Sequence, residues 1–359
     1  MLQQSFRNSN PSMSPIQSGK VLVSGANGFI AVWVVRKLLE AGFSVRGTVR
    51  SADKGTHLTK LFAAYGSKFE LSVVPDITQE GAFDDAVKGV DAIEHTASPF
   101  HLQADDPAEL SVPAIQGTVG ILESARKYGS SVKRVVVTSS CAAVMHPSTE
   151  QLDEYDWNED SVKNVEALGA KATNPDKYRN SKTLAERAAW QFLDKHVSEV
   201  GWDLAVMNPP LVLGPLLHEV SSPSALNTSA KNMYDVFTVP GFASASRGGG
   251  GNWVDVRDLA TAHVRALQRD LPAYTPLAEV NKEQGRNVNR FILNGKGFSW
   301  QQWLDAVPGD KYEKGTPGSG TPPRDYINNK AIEVLGMEYR SMEETARDVV
   351  ADWEARGWA

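Results

Sequence analysis

The chain has 359 residues, a formal net charge of −6 and a single cysteine. One cysteine excludes an intrachain disulfide, and a mildly acidic chain lacks the basic excess that is typical of nucleic-acid-binding proteins. No apolar run reaches the ~18 to 20 residues of a membrane-spanning helix, and the N-terminal residues contain no apolar signal-like core. We therefore expect a cytoplasmic protein with neither nucleic-acid nor membrane partners.

Short apolar strands alternate with helical segments along the first half of the chain. The strands are predicted at 20–24, 44–49, 69–74, 92–96 and 134–139, and the helices at 29–41, 58–65, 82–88 and 113–128. A long helix that ends near residue 195 and a strand over 204–212, broken at Pro209-Pro210, follow. The alternation predicts an α/β fold of the Rossmann type, in which helices cover both faces of a doubly wound parallel sheet.

The first predicted strand leads into the turn Gly25-Ala26-Asn27-Gly28, which opens the first helix. Gly25 suits a tight turn, Gly28 allows a pyrophosphate to approach the backbone, and the helix N-terminus offers free N–H groups. Ala31 stands where a third glycine is common. Two glycines also occur in ordinary turns, but their position between strand and helix predicts a dinucleotide site.

Cationic residues follow the second predicted strand, where NAD-binding proteins usually carry a carboxylate. Arg50 has a geometry suited to a 2′-phosphate and Lys54 lies one turn further on, so the sequence favours NADP(H). Asp53 lies beyond the strand end, and the alternative is that both cations are merely solvated. Asp76 and Ile77 follow the third strand, where such a sheet would meet the adenine.

Two segments carry the pattern YxxxK, which places a tyrosine and a lysine on one face of a helix. Tyr178 and Lys182 come after Ser140, which lies at the polar end of the fifth strand and hence at the ligand-binding edge of the sheet. Tyr326 and Lys330 follow a loop rich in proline and glycine, and we expect them to begin a surface helix near the C-terminus. Ser140, Tyr178 and Lys182 are therefore the candidate catalytic residues.

These three side chains suit hydride transfer to a carbonyl group, which develops negative charge on the carbonyl oxygen. Tyr178 would donate a proton to that oxygen and Ser140 a hydrogen bond. A free tyrosine has a pKa of ~10. We expect the nearby Lys182 ammonium to lower the pKa of Tyr178 and also to hold the ribose of the cofactor.

The segments GANGFIA, TVRSADK, PDIT, HTASPF, TSSCAAV, YRNSK and NPPLVLGP together resemble the extended short-chain dehydrogenases/reductases, in particular fungal aldehyde and ketone reductases and plant dihydroflavonol reductases. The resemblance implies an NADPH-dependent carbonyl reductase that forms alcohols, with Ser140, Tyr178 and Lys182 as its catalytic triad. The resemblance also implies the residues that contact the cofactor, which are Gly25, Asn27, Gly28, Phe29, Ile30, Arg50, Lys54, Asp76, Thr96, Ala97, Ser98, Tyr178, Lys182, Pro209, Val212 and Ser229. The position of Ile77 after the third strand adds it to this set.

The resemblance also implies an apolar pocket wall formed by Phe100, Cys141, Met145 and Leu211, and the alternative for each residue is ordinary core packing. Such a wall suits a small-molecule carbonyl substrate with a hydrophobic body. The histidines form neither an HxH nor an HExxH pattern, so we expect no metal site. The expected state is a monomer or a homodimer.

Two other functions fit the same fold. A nucleotide-sugar epimerase or dehydratase would retain NAD and favour an acidic residue where Arg50 stands. A non-enzymatic NADP(H) sensor would tolerate loss of the Tyr178 and Lys182 pair, which this chain retains.

The domain organisation follows from these motifs. We expect a disordered tail over 1–18, an NADP-binding Rossmann core over 19–175, and in 176–359 the rest of that core interleaved with a smaller substrate lobe. Because Tyr178, Lys182 and Val212 lie beyond residue 175 and still belong to the cofactor site, the two parts are predicted to form one catalytic unit.

Overall fold

A seven-stranded parallel sheet forms the centre of the computed structural model, which describes residues 14–98, 104–241, 249–307, 309 and 311–358. Its strands are β1 Lys20–Ser24, β2 Ser44–Val49, β3 Phe69–Val73, β4 Ala92–His95, β5 Arg134–Thr138, β6 Asp203–Asn208 and β9 Arg290–Ile292. They stand in the order β3-β2-β1-β4-β5-β6-β9. The chain builds outward from β1 first in one direction and then in the other, so the predicted Rossmann-type fold is confirmed.

Helices cover both faces of the sheet because successive strand residues point to opposite sides. The helices are α1 Phe29–Glu40, α2 Thr56–Leu61, α3 Ala108–Tyr128, α4 Glu159–Leu168, α5 Asn174–His196, α6 Thr228–Thr238, α7 Val256–Gln268, α8 Trp300–Ala306, α9 Asn329–Leu335 and α10 Met342–Ala355. In β1, Val21 and Val23 pack in one cluster with α1 and α7, whereas Leu22 packs in another with α3 and α5. Across the described ranges, no helix combines the length and the apolar character needed to cross a bilayer.

A smaller three-stranded sheet belongs to the C-terminal lobe. Its strands are β7 Leu211–Leu213, β8 Gly250–Asp255 and β10 Lys296–Ser299. This sheet packs with α6, α8 and α10 around the buried side chains of Trp253, Trp303 and Trp353. The chain passes from β6 to β7 through Pro209-Pro210. Proline has no N–H to donate to the hydrogen bonds between neighbouring strands, so it interrupts a central strand. The strand predicted over 204–212 is therefore two strands in different sheets.

Two predicted helices differ from the structure. Residues 82–88 form consecutive turns, bounded by two glycines with positive φ, rather than a helix. The helix predicted to begin at Pro113 begins at Ala108, where the Asp106 carboxylate accepts the Ala108 N–H at 2.8 Å and so satisfies one of the free N–H groups of the first turn. Neither difference changes the order of the sheet.

The segment expected to be a tail, 1–18, is attached to the fold at its C-terminal end. Ile16 is 4% exposed, and its N–H donates to Leu267 O at 2.8 Å, at the end of α7. Gln17 donates from its side chain to the neighbouring Gln268 O at 2.9 Å. The chain therefore joins the core by Ile16, and residues 1–13 lie outside the described ranges.

Candidate active site

Three adjoining cavities lie at the carboxyl ends of the central strands, where a sheet of this topology binds ligands. The glycine groove, of about 700 Å³, is lined by Gly25, Thr48, Arg50, Asp76 and Ala97. The central cavity, of about 430 Å³, is lined by Gly28, Thr138, Ser140, Tyr178 and Lys182. The outer cavity, of about 690 Å³, is lined by Cys141, Leu152, Leu211, Trp300 and Tyr326. Ser140 and Tyr178 line both the central and the outer cavity.

Every residue predicted to contact a cofactor lines the glycine groove or the central cavity. The groove is lined by Gly25, Asn27, Gly28, Arg50, Lys54, Asp76, Ile77, Thr96, Ala97 and Ser98. The central cavity is lined by Phe29, Ile30, Tyr178, Lys182, Pro209, Val212 and Ser229. The fold therefore gathers residues from distant parts of the chain at one edge of the sheet.

The turn after β1 leaves space for a phosphate beside the backbone. Gly25 has a φ of +62°, and a Cβ added there would lie 3.1 Å from the Ala97 Cβ, so the position favours glycine. Gly28 precedes α1, and the N–H groups of residues 29–31 come before the first intrahelical bond, from Val32 N to Gly28 O. Because these residues line the central cavity, their N–H groups and the helix dipole fit a dinucleotide pyrophosphate.

Two exposed cations, Arg50 and Lys54, line the glycine groove beyond that turn. Hydrogen bonds from Thr78 lower the pKa of Asp76, and the nearby Arg50 charge lowers it further. The groove is thus lined by a carboxylate and a guanidinium. The guanidinium fits the 2′-phosphate of an NADP ribose, and Asp76 lies in the groove where the adenine is expected.

A buried hydrogen-bond network holds the turn after β4, which forms the floor of the groove. Ser24 Oγ accepts the N–H groups of Thr96 and Ala97, each at 3.0 Å. Because these bonds engage both lone pairs, the hydroxyl donates to His95 Nδ1 at 2.9 Å. Burial lowers the pKa of His95 to about 3, so the ring is neutral and carries its proton on Nε2. Sequence reasoning missed this supporting role, for which the only signal was a histidine directly before the turn.

The three candidate catalytic side chains meet where α5 passes the end of β5. Tyr178 and Lys182 lie one turn apart on α5, and Lys182 Nζ is 6.0 Å from the centre of the Tyr178 ring. Ser140 lies beside Tyr178, and its Oγ donates to Pro209 O at 3.4 Å and accepts the Ala142 N–H at 3.1 Å. Lys182 Nζ donates to Ser98 Oγ at 3.0 Å. The structure therefore brings the predicted trio together.

Burial dominates the electrostatics of this trio. It raises the pKa of Tyr178, and the neighbouring Ser140 hydroxyl opposes only part of that rise. It lowers the pKa of Lys182 to about 8. The net pKa of Tyr178 is therefore raised by burial and not lowered as expected, and the Lys182 ammonium is hydrogen-bonded to Ser98. The Tyr178 phenol keeps its proton at neutral pH.

Apolar side chains form much of the outer cavity. Cys141, Met145 and Leu211, which the sequence places in a substrate pocket, line it, and Phe100 lies outside the described residues. Burial raises the pKa of the Cys141 thiol, which donates to Asn208 O at 3.1 Å, so this cysteine acts as wall rather than nucleophile. The aromatic lining residues that sequence reasoning missed are Phe298, Trp300 and Tyr326.

The second YxxxK match does not form the surface helix that the sequence predicts. Helix α9 begins at Asn329, after Tyr326, so the tyrosine and Lys330 do not share a helix. Tyr326 packs against Cys141 in the outer cavity, and Lys330 Nζ donates to Val288 O at 2.6 Å. Tyr326 faces the protein interior because residues 323–326, which precede α9, line the outer cavity. The spacing of the YxxxK pattern alone does not reveal this position.

The chain is similar to known proteins along nearly its whole length. The model of the NAD dependent epimerase/dehydratase family matches residues 21–275. A ketoreductase of Aspergillus niger is 36% identical, covering 92% of this chain and 96% of its own. The NADPH-dependent methylglyoxal reductase of Saccharomyces cerevisiae is 34% identical, covering 92% of this chain and 97% of its own.

A solved structure extends the similarity to three dimensions. The yeast methylglyoxal/isovaleraldehyde reductase complexed with NADPH matches with a TM-score of 0.77 and 31% identity, over 95% of this chain and 100% of that one. The match therefore includes the smaller lobe as well as the central sheet. The resemblance noted from the sequence is confirmed, and the chain belongs to the NAD dependent epimerase/dehydratase family of extended short-chain dehydrogenases/reductases.

Proposed function

We propose that the protein is an NADPH-dependent carbonyl reductase that converts aldehydes and ketones to alcohols. The observation that carries this proposal is the joint position of Ser140 and Tyr178, whose side chains line both the central and the outer cavity. Two hydroxyls at that junction suit a carbonyl oxygen that gains negative charge. The activities named for the Aspergillus niger and Saccharomyces cerevisiae relatives support the same class of reaction.

In this proposal NADPH occupies the glycine groove and the central cavity and, when bound, supplies the hydride. The turn at Gly25 and the first N–H groups of α1 bind the pyrophosphate. Arg50 and Lys54 bind the 2′-phosphate, and Lys182 binds the ribose next to the nicotinamide. This arrangement leaves the Ser140 and Tyr178 hydroxyls at the entrance to the outer cavity.

Three side chains then take part in the reduction of the carbonyl group. Ser140 donates a hydrogen bond to the carbonyl oxygen and orients it, and Tyr178 transfers its phenolic proton to that oxygen. Because burial raises the pKa of Tyr178, the phenol is protonated when the reaction begins at neutral pH. Lys182 has its pKa lowered to about 8, so below that pH its ammonium stabilises the tyrosinate that remains.

The substrate in this proposal is a small carbonyl compound with an apolar body. The outer cavity places Met145 and Leu211 beside the aromatic rings of Phe298 and Trp300. Burial of an apolar group against such a wall contributes about 25 cal/mol per Å². The buried, unpaired cysteine supports our further proposal that the enzyme works in the cytoplasm.

One experiment tests the reaction and its proton donor together. NADPH oxidation is followed by absorbance over a panel of aldehydes and ketones, with the alcohol products identified. Tyr178→Phe should lower kcat by roughly 10²- to 10⁴-fold, because it removes the acid. Tyr274→Phe is the matched control, since its hydroxyl is bonded to Asp194 near the other end of α5 and away from the cavities. Full activity in Tyr178→Phe would overturn the assignment.

The alternative functions predict different results in the same preparation. Purified protein that carries tightly bound NAD would favour the nucleotide-sugar epimerase or dehydratase, although Arg50 is poorly suited to NAD. NADPH binding without turnover of any carbonyl compound would favour the sensor. The intact trio at the cavity junction supports the reductase over the sensor, and Arg50 in the glycine groove supports it over the epimerase or dehydratase.

A further inference from the structure

A buried carboxylate continues the row of functional side chains on α5. Glu186 lies one turn beyond Lys182 and two turns beyond Tyr178, on the same face of the helix. It is 2% exposed, and its carboxylate accepts three hydrogen bonds. The donors are Ser139 Oγ at 2.6 Å, Asn208 Nδ2 at 2.7 Å and Arg290 Nε at 2.6 Å.

Two of these donors sit at the ends of the strands that lead into the cavities. Ser139 directly follows β5 and precedes Ser140, and Asn208 is the last residue of β6. Asn208 Nδ2 also donates to Ser140 O at 3.2 Å. The Glu186 carboxylate therefore connects the helix that carries Tyr178 to the strand ends that carry Ser140.

The third donor compensates the charge of Glu186 inside the protein. Arg290 is fully buried, and its Nη1 donates to Glu154 O at 2.9 Å and to Asp156 O at 2.8 Å. Its guanidinium also lies 3.8 Å from the centre of the Trp157 ring. A buried pair with this many fixed partners is rigid, and it sets the distance between α5 and the sheet.

We propose that Glu186 is a positioning residue that holds the Ser140 hydroxyl against the Tyr178 hydroxyl, an inference that rests on the proposed function. Ser140 follows the end of β5 and Tyr178 belongs to α5, so the distance between their hydroxyls depends on how the two elements are spaced. Proton transfer tolerates little error in that spacing, because a displacement of about 1 Å can lower a rate by about 10²-fold. Glu186 fixes the spacing two turns away from the reacting atoms.

Two variants remove this connection in different ways. Glu186→Gln keeps the volume of the side chain but removes the charge that faces Arg290. Ser139→Ala removes one hydrogen bond and leaves the Glu186 and Arg290 ion pair in place. We expect both variants to lower kcat by roughly 10- to 100-fold and to leave KM for the carbonyl substrate within about twofold.

The matched control is an ion pair at the opposite ends of the same two strands. Arg134 begins β5 and Asp203 begins β6, and the guanidinium donates to both carboxylate oxygens at 2.6 Å. Asp203→Asn should lower the Tm as a structural defect does, but it should leave the kcat of the folded enzyme unchanged. If Glu186 had only a structural role, Glu186→Gln would also lower the Tm and leave kcat unchanged. That result would overturn the proposal.

A second readout needs neither NADPH nor turnover. The ¹³C NMR signal of the Tyr178 Cζ, assigned by its loss in Tyr178→Phe, reports the hydrogen bond to its hydroxyl. We expect Glu186→Gln and Ser139→Ala to move this signal toward its position in Ser140→Ala, and Asp203→Asn to leave it in place. A Tyr178 signal that stays at the wild-type position in both test variants would overturn the proposal.

The two readouts separate failure of this inference from failure of the proposed function. If the wild-type protein reduces no carbonyl compound, the proposed function fails, and the Tyr178 signal still decides whether Glu186 positions Ser140. If Glu186→Gln does not fold, Ser139→Ala decides both readouts, since it keeps the buried ion pair.

Discussion

Lys182 Nζ donates to Ser98 Oγ at 3.0 Å, so the lysine of the YxxxK pair is bonded to the turn after β4. The bond joins α5 to the floor of the glycine groove. The proposed ribose contact and the proposed stabilisation of tyrosinate therefore depend on one ammonium group. Its pKa is lower than that of an exposed lysine because the group is buried.

The lowered pKa of Lys182 predicts the pH dependence of the enzyme. Burial lowers the pKa of Lys182 to about 8, so the charged form is present below that pH and is lost above it. We expect kcat/KM to fall as the pH rises through about 8, which steady-state kinetics across that range would measure. Lys182→Arg, whose guanidinium stays charged, should remove this decline. A decline that persists in Lys182→Arg would assign the ionisation to another group.

Replacement of Arg50 should separate the two nicotinamide cofactors. A charge-assisted hydrogen bond contributes about 1.5 to 3 kcal/mol, so Arg50→Ala should raise the KM for NADPH by roughly 10- to 100-fold. The KM for NADH, which lacks the 2′-phosphate, should change by less than about twofold. Lys60→Ala, which removes an exposed cation outside the groove, is the control. An equal loss with both cofactors would contradict the proposed 2′-phosphate contact.

A pair of glycines tests the fit of the phosphate-binding turn. Gly25 and Gly89 both have positive φ, at +62° and +69°, so alanine at either position should cost about 1 to 2 kcal/mol of stability. An added Cβ at Gly89 meets nothing within 4 Å, whereas at Gly25 it meets Ala97. We expect both variants to have a lower Tm and only Gly25→Ala to lose the rise in Tm that NADPH produces. A normal NADPH effect in Gly25→Ala would place the pyrophosphate elsewhere.

Tyr326 should affect the choice of substrate and not the cofactor. Tyr326→Ala removes an aromatic wall of the outer cavity, which should raise the KM for a bulky aryl ketone by roughly 10-fold, since full burial of a large apolar group is worth about 1.5 to 3 kcal/mol. The KM for NADPH and for a small aliphatic aldehyde should stay unchanged. Tyr128→Ala, at an exposed position on α3, controls for loss of a tyrosine. Equal effects on large and small substrates would show that Tyr326 supports the fold only.

The cofactor side of the site was predictable because it is built from local patterns. The turn at Gly25, the cations at Arg50 and Lys54, and the polar strand end at Ser140 each follow a strand of the parallel sheet. Carboxyl ends of parallel strands meet at one edge, so the alternation of strands and helices was enough to place these residues together. The fold class followed from the same alternation.

The substrate side was not predictable in the same way because long-range packing builds it. Tyr326 enters the outer cavity on a segment whose Ile327 N–H donates to Leu152 O at 2.9 Å, far away in the sequence. Glu186 is an ordinary helix position until Ser139, Asn208 and Arg290 surround it. Spacing within one element carries no information about such partners.

Pro209 and Pro210 are the two residues that separate β6 from β7, and they have a consequence for engineering. Pro209 O accepts the Cys141 N–H at 2.9 Å, and Pro210 lines both the central and the outer cavity. This connection between the lobes therefore contains no spare linker, and the chain crosses again because β9 of the central sheet comes between β8 and β10 of the smaller sheet. Any chimera that exchanged the smaller lobe with that of a family member would be cut within the cavity walls. Substrate range in this scaffold can be altered by single side chains, but not by transplanting a module.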